Sequence, residues 1–134
     1  MQKTTNYLAL DVGSRRIGVA VADDVVRISR PLPTVEAGAH DIEDIVTIAT
    51  DEACDTIIIG YPRSQSGDPT SQTHEVEAFA DRLRTKFEGR IAFQDESLTS
   101  VLAEERLIAR KKPYTKADID AEAACIILTD FLEK

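Results

Sequence analysis

The chain contains no tryptophan and few aromatic residues of any kind, so its interior has to be built from aliphatic side chains. Cysteine is almost absent: Cys54 and Cys125 form no close-spaced motif, which excludes a disulfide scaffold or a cysteine-rich zinc site and leaves two buried, reduced thiols. His40 and His74 are single and far apart, so imidazole zinc ligation is not signalled either. No apolar run approaches the ~20 residues that cross a bilayer, and the first residues carry no apolar stretch of the signal-peptide kind. The expectation is a cytoplasmic protein with no membrane partner. Positive charge is also in deficit. A net charge of -8 excludes a protein that coats nucleic acid nonspecifically, since such binding is driven by phosphate neutralisation. A local basic patch beside an acidic, metal-loaded site remains compatible with that balance.

What is present fits one domain spanning residues 1–134, long enough for a core without disulfide support. Tyr7 to Asp11 and Ile17 to Ala22 are apolar runs of strand length joined by the turn Val12-Gly13-Ser14-Arg15-Arg16, a hairpin pattern. Asp23-Asp24 marks a turn, and Val25 to Ser29 is expected as a third strand, after which Pro31 and Pro33 start a crossover. From Asp41 to Ala53, apolar residues recur at helical spacing, with Asp41 as the expected N-cap. Thr56-Ile57-Ile58-Ile59 suits a central parallel strand buried on both faces. A second helix carries Val76, Phe79, Ala80, Leu83 and Phe87 on one side. Arg90 to Gln94 gives a fifth strand, followed by a helix from Thr99 through Arg110 and a last one from about Ala117 to Leu132.

The order β-β-β-α-β-α-β-α-α implies an α/β fold. Three antiparallel strands and then two parallel ones form a mixed five-stranded sheet flanked by helices. With strand one central, the ends of strands one, four and five share a rim, where open α/β sheets place ligands. Asp11 and Glu96 stand there. On the last helix Ala124, Ile127 and Phe131 define the sheet-facing stripe, and one turn back on that stripe stands Asp120. Asp118 stacks instead over Glu122 and Thr129, a more solvated stripe, and Asp130 lies roughly 15 Å further along the axis.

Three carboxylates on one rim repel unless a cation lies among them. Hard oxygen donors suit Mg²⁺ or Mn²⁺, one or two ions, in a site able to clamp a phosphodiester. The same residues also fit a plainer account, with Asp95 and Glu96 as a solvated turn, Asp120 as a favourable charge at a helix N-terminus and Asp11 as a loop cap. Arg15, Arg16, Arg63, Lys111 and Lys112 all fall in loops. The first three are beside the rim, where they are candidates to hold backbone phosphates; the two lysines lead into the Asp120 helix.

Five segments together are specific: Leu10 through Ala20, Pro31-Leu32-Pro33-Thr34, Ile58-Ile59-Gly60-Tyr61-Pro62, Asp95-Glu96-Ser97-Leu98-Thr99, and Asp120 through Leu132. In these the chain resembles the YqgF/RuvX family, small RNase H-like proteins described as Holliday junction resolvases and as pre-16S rRNA nucleases. The resemblance implies an RNase H-like nuclease domain with Asp11, Glu96 and Asp120 as catalytic and metal-binding residues. It also makes Gly60 and Pro62 candidate substrate contacts beside Arg63. Ser97 stands where the family usually has arginine, and Ala121 where it commonly has lysine. The implied activity is hydrolysis of phosphodiesters in 5′-end processing of pre-16S rRNA, with ribosomal particles as candidate partners. Resolution of four-way DNA junctions, favoured by a homodimer over a monomer, is the alternative. A non-catalytic nucleic-acid-binding module is a third reading. The Asp-Val-Gly-Ser turn also resembles the phosphate loop of sugar kinases and actin, which close two such domains around a nucleotide.

Overall fold

In the computed structural model, which describes residues 4–62, 70–96 and 99–133, the chain order is as expected. The elements are β1 (Asn6–Val12), β2 (Arg16–Asp23), β3 (Arg30–Glu36), α1 (Asp41–Asp51), β4 (Thr56–Pro62), α2 (Ser71–Arg84), β5 (Arg90–Glu96), α3 (Thr99–Ala109) and α4 (Lys116–Leu132). They form one five-stranded sheet in the order β3-β2-β1-β4-β5. β1 is central, antiparallel to β2 and parallel to β4, and β5 adds parallel to β4.

Strand alternation divides the core in two. Leu8, Leu10, Ile17, Val19, Ile57 and Ile59 face α1 and α2, where they meet Ile45, Phe79 and Leu83. Ala9, Ala20, Ala22 and Ile58 face α4 and meet Ala124, Ile127 and Leu128. The small alanines on β1 and β2 let α4 lie close to the sheet. α3 rests on α4, with Ala103 packed into the buried cluster of Ala123 and Ile126. Both cysteines are buried and free, and burial pushes the Cys54 thiol up to about 12 and that of Cys125 to about 11, as suits inert packing groups.

The third strand is displaced from its expected position. Val25 to Ser29 is not extended, because the Asp23 carboxylate accepts from the backbone N–H of Val25 at 2.9 Å and of Val26 at 2.6 Å and closes a turn. Arg27 then takes a left-handed conformation (φ 62°). The strand that pairs with β2 is Arg30–Glu36, prolines included. It is tolerated there because β3 is the sheet edge, where one side of the backbone needs no ladder partner. Val25, Val26 and Ile28 are left exposed.

The start of α1 also differs. His40 holds the N-cap position without a side-chain bond, and Asp41 is the first helical residue. Its carboxylate is almost fully buried, accepting from Gly38 N–H at 3.2 Å and pairing with Arg82 of α2 at 3.1 Å. A distant arginine has drawn the side chain inward from a capping role.

Candidate active site

The two-residue period that buries Ala9, Ala20, Ile58 and Ala92 beneath α4 carries on towards the ends of the strands. It puts Asp11, Arg16, Gly18, Gly60, Pro62, Gln94 and Glu96 on that same face. Asp11 is paired directly with Gly18, Gly60 with Gln94, and Pro62 with Glu96. Asp95, one residue out of phase, belongs to the opposite face.

Gly18 is what brings α4 into this site. A Cβ at that position would lie 1.9 Å from the backbone carbonyl oxygen of Asp120, so only glycine lets the helix touch β2 at its second turn. With the helix seated there, Arg16 Nε donates to Asp120 Oδ2 at 2.8 Å. Gly60 works in the same way for the third carboxylate. Its Cβ would fall 2.8 Å from Glu96 Oε1 and 2.6 Å from Ile127 Cδ1, so the missing side chain is the space those two groups occupy. The β1–β2 turn is closed by Gly13 N–H donating to the Arg16 carbonyl at 3.0 Å, which points the chain back into β2 with Arg16 on the α4 side.

The electrostatics follow from this crowding. The Asp11 carboxyl is pushed from 3.8 up to about 8, first by burial, then by the negative charges of Glu96 and Asp120. The three carboxylates therefore feel one another, as their places at the rim lead one to expect. They are not gathered into a cage: among the described residues no group of three His, Cys, Asp or Glu side chains sits ready to hold a metal ion. One Asp120 oxygen is committed to Arg16.

The remaining candidate residues are placed as follows. Arg15 is exposed at the hairpin tip, its carbonyl accepting from Ala37 N–H at 2.9 Å. Pro62 is half-buried at the end of β4, and its carbonyl accepts from the Thr73 hydroxyl at 2.6 Å, tying the strand end to α2. Arg63 and Ser97 lie outside the described residues. Lys111 and Lys112 are exposed between α3 and α4, Lys111 with a left-handed φ of 57°. Lys112 lines a cavity of about 220 Å³ with Tyr114, Asp118 and Ala121, the neighbour of Asp120.

Asp118 is exposed as expected, where it accepts from Thr115 N–H at 2.9 Å in a capping box that starts α4. Glu122 departs from the expected solvated stripe. It is 5% exposed and held by Arg106 of α3 at 3.4 Å and by Arg110, just past the end of that helix, at 3.1 Å. Gln94 was not singled out by sequence reasoning. It is buried two residues before Glu96 on the same face, with Nε2 donating to the Asp95 carbonyl at 3.3 Å and Oε1 without a partner among the described residues. A polar amide at an inward position of an apolar strand is the signal that could have found it.

A family model described as RuvX, Holliday junction resolvase, matches residues 5–134. A protein of Chloroflexus aurantiacus is 40% identical over 130 residues, covering 94% of this chain and 85% of its own. One of Roseiflexus sp. is 41% identical over 130 residues, with 94% and 92% covered. One of Synechocystis sp. is 35% identical over 137 residues, with 99% and 90% covered. All three bear the name "Putative pre-16S rRNA nuclease". Among solved structures, T. thermophilus RuvC in complex with Holliday junction substrate superposes with a TM-score of 0.58 at 13% identity, covering 96% of this chain and 93% of that one. Fowlpox virus resolvase, solved with its substrate Holliday junction DNA, gives 0.56 at 12% identity, covering 96% and 97%. At such identities the likeness is one of fold, and that fold is the RNase H-like arrangement of RuvC-type resolvases.

Proposed function

The chain belongs to the RuvX family, and from that premise we propose that it is a metal-dependent nuclease hydrolysing phosphodiester bonds, its substrate the 5′ region of pre-16S rRNA. The observation that supports the reading is the placement of Asp11 and Glu96 on the sheet face beneath α4, with Asp120 on that helix, where burial first and then the charges of Glu96 and Asp120 raise the Asp11 carboxyl. A fold under selection for stability alone would place an apolar residue at the inward end of β1. Three carboxylates are hard oxygen donors of the kind that suits Mg²⁺ or Mn²⁺ while leaving coordination positions for substrate. When bound, such an ion supplies Lewis-acid polarisation of the phosphodiester and lowers the pKa of water.

The protein's own residues divide the remaining work. Asp11 sits nearest the centre of the sheet and is the group whose charge is most costly without a cation. Gly60 keeps the space in which the Glu96 carboxylate lies. Arg16 orients Asp120 and competes with an incoming cation for it. Arg15 is exposed and uncommitted enough at its head to meet a phosphate, and Lys111 and Lys112 flank the start of α4 as further phosphate contacts. Arg63 follows the end of β4 and is assigned the same part.

The test is a cleavage panel of precursor rRNA, single strands and four-way DNA junctions, with Mg²⁺, Mn²⁺ or EDTA, for wild type and Asp11→Asn. Cleavage of the precursor that needs the metal and falls by at least two orders of magnitude in the variant is the expected result. Undiminished cleavage by Asp11→Asn would overturn the assignment. Preference for four-way junctions by a dimeric protein would move it to the resolvase reading, which the family description favours.

A further inference from the structure

A row of cations runs from Lys112 away from the carboxylate rim, and we propose that it is a binding track for the phosphodiester backbone of a nucleic-acid strand. Arg27, from the β2–β3 connection, lines a cavity of about 350 Å³ with Arg106 of α3, Arg110 just beyond it, Cys125 and Thr129. That cavity shares Pro31, Arg110 and Glu122 with the 220 Å³ cavity that holds Lys112 and ends at Ala121. The two form one groove along α4, from Thr129 to the residue next to Asp120. Eight residues of α-helix make it ~12 Å long, room for roughly three phosphates at the spacing of one strand.

The charges are arranged so that the positive ones face out. Glu122 is buried, its side chain 7% exposed, while the arginines that bind it are 51% and 55% exposed. Two guanidinium groups on one buried carboxylate leave a surplus cation at the surface. The Asp118 carboxylate is turned into the capping box of α4, and Glu133 stands only beside Arg27 at the outer end. Arg27 is fixed by donating to the Leu132 carbonyl. On a chain of net charge -8, four cations lining one continuous groove that ends at Ala121 mark a local site for polyanion. The proposal rests on the nuclease reading for its direction: the groove leads a bound strand to the carboxylates. Backbone contacts of this kind hold RNA and DNA alike.

The experiment is anisotropy titration of fluorescein-labelled 15-nucleotide single-stranded RNA and DNA with the full chain in EDTA, across a range of salt concentrations. Arg106→Gln/Lys112→Gln, which keeps a donor for Glu122, should weaken binding of both strands about tenfold. It should also flatten the dependence of log Kd on log salt by about 1.4, at ~0.7 per lost phosphate contact. Lys86→Gln, beyond α2 on the opposite side of the sheet, should bind as wild type. Should the double variant melt early, exposed Lys112→Glu alone reads the same effect. Unchanged affinity and salt slope in a folded groove variant would overturn the track while leaving the nuclease reading intact. Weakened binding by a chain that cleaves nothing with Mg²⁺ or Mn²⁺ would support the track and remove the nuclease. Capture of polyglutamate but of neither strand would overturn the proposal in favour of an acidic protein partner.

Discussion

Replacing Asp11 with asparagine should make the metal-free protein more stable, by an amount that depends on pH. The carboxyl is carried from 3.8 to about 8 in the folded chain, so between those values the native state binds a proton that the unfolded state has released. Stability from this group is therefore greatest below pH ~4 and falls as pH rises to about 8. At 1.36 kcal/mol per pH unit, the full penalty for the ionised group is about 6 kcal/mol. Rotation of Glu96 and Asp120 away from one another and entry of water would relieve part of it, and we expect about 2–3 kcal/mol to be recovered by Asp11→Asn at pH 8. For a chain of this size that is a rise in Tm of about 10 °C. Differential scanning calorimetry in EDTA at pH 4.5, 6 and 8 measures it. The variant should melt well above wild type at pH 8, and the gap should shrink steadily to near zero at pH 4.5. A variant no more stable at pH 8, or a gap that does not close on acidification, would refute the electrostatic account of the rim.

Other substitutions separate positioning from packing. Gly18→Ala would thrust a methyl 1.9 Å from the Asp120 carbonyl, so α4 has to move and chemical denaturation should show a loss of at least 2 kcal/mol. Gly60→Ala meets only the ends of Glu96 and Ile127, so the fold should survive with about 1 kcal/mol lost, while cleavage falls at least tenfold as Glu96 is displaced. Arg106→Met together with Arg110→Met strips both partners from buried Glu122 and should cost about 3–5 kcal/mol, most of it restored by adding Glu122→Leu. Urea melts of the double and triple variants decide this, and no restoration would mean the arginines stabilise through other contacts.

The parts legible in the sequence are those governed by short periods. With β1 taken as central, β4 and β5 run parallel to it, and their shared carboxyl ends predicted one rim for Asp11 and Glu96. The helical period of α4 picked out Asp120 from Asp118 because the stripe Ala124, Ile127, Phe131 meets the sheet in fact. What could not be read depends on partners far along the chain. Val25 to Ser29 has strand-like composition, but the Asp23 side chain takes the backbone donors that a strand would have offered to its neighbour. Asp41 and Glu122 look like solvated helix charges until Arg82, Arg106 and Arg110 are brought over them. Gly18 reads in the sequence only as a glycine inside the second strand. Its reason is a helix that begins almost a hundred residues later.

These long-range features share a location, and that is an argument about function independent of any relative. Gly18 and Gly60 give up side-chain burial and backbone rigidity in strand interiors, where glycine is unfavourable by roughly 0.5–1 kcal/mol. Asp11 places a carboxyl where its charge is costly, and Gln94 buries an amide oxygen to which nothing among the described residues donates. Each departs from what the local structure would prefer, and all lie on the α4 face, Asp11 paired with Gly18 and Gly60 with Gln94. On the α1–α2 side of the same sheet the inward positions Leu8, Leu10, Ile17, Val19, Val21, Ile57 and Ile59 are all apolar and buried. Local penalties spread at random would point to imperfect packing; gathered at one end of one face they point to a site whose geometry is kept for chemistry. The Arg16–Asp120 pair fits that reading, since it offsets repulsion at the rim in the metal-free protein and is exposed enough to be given up to a cation.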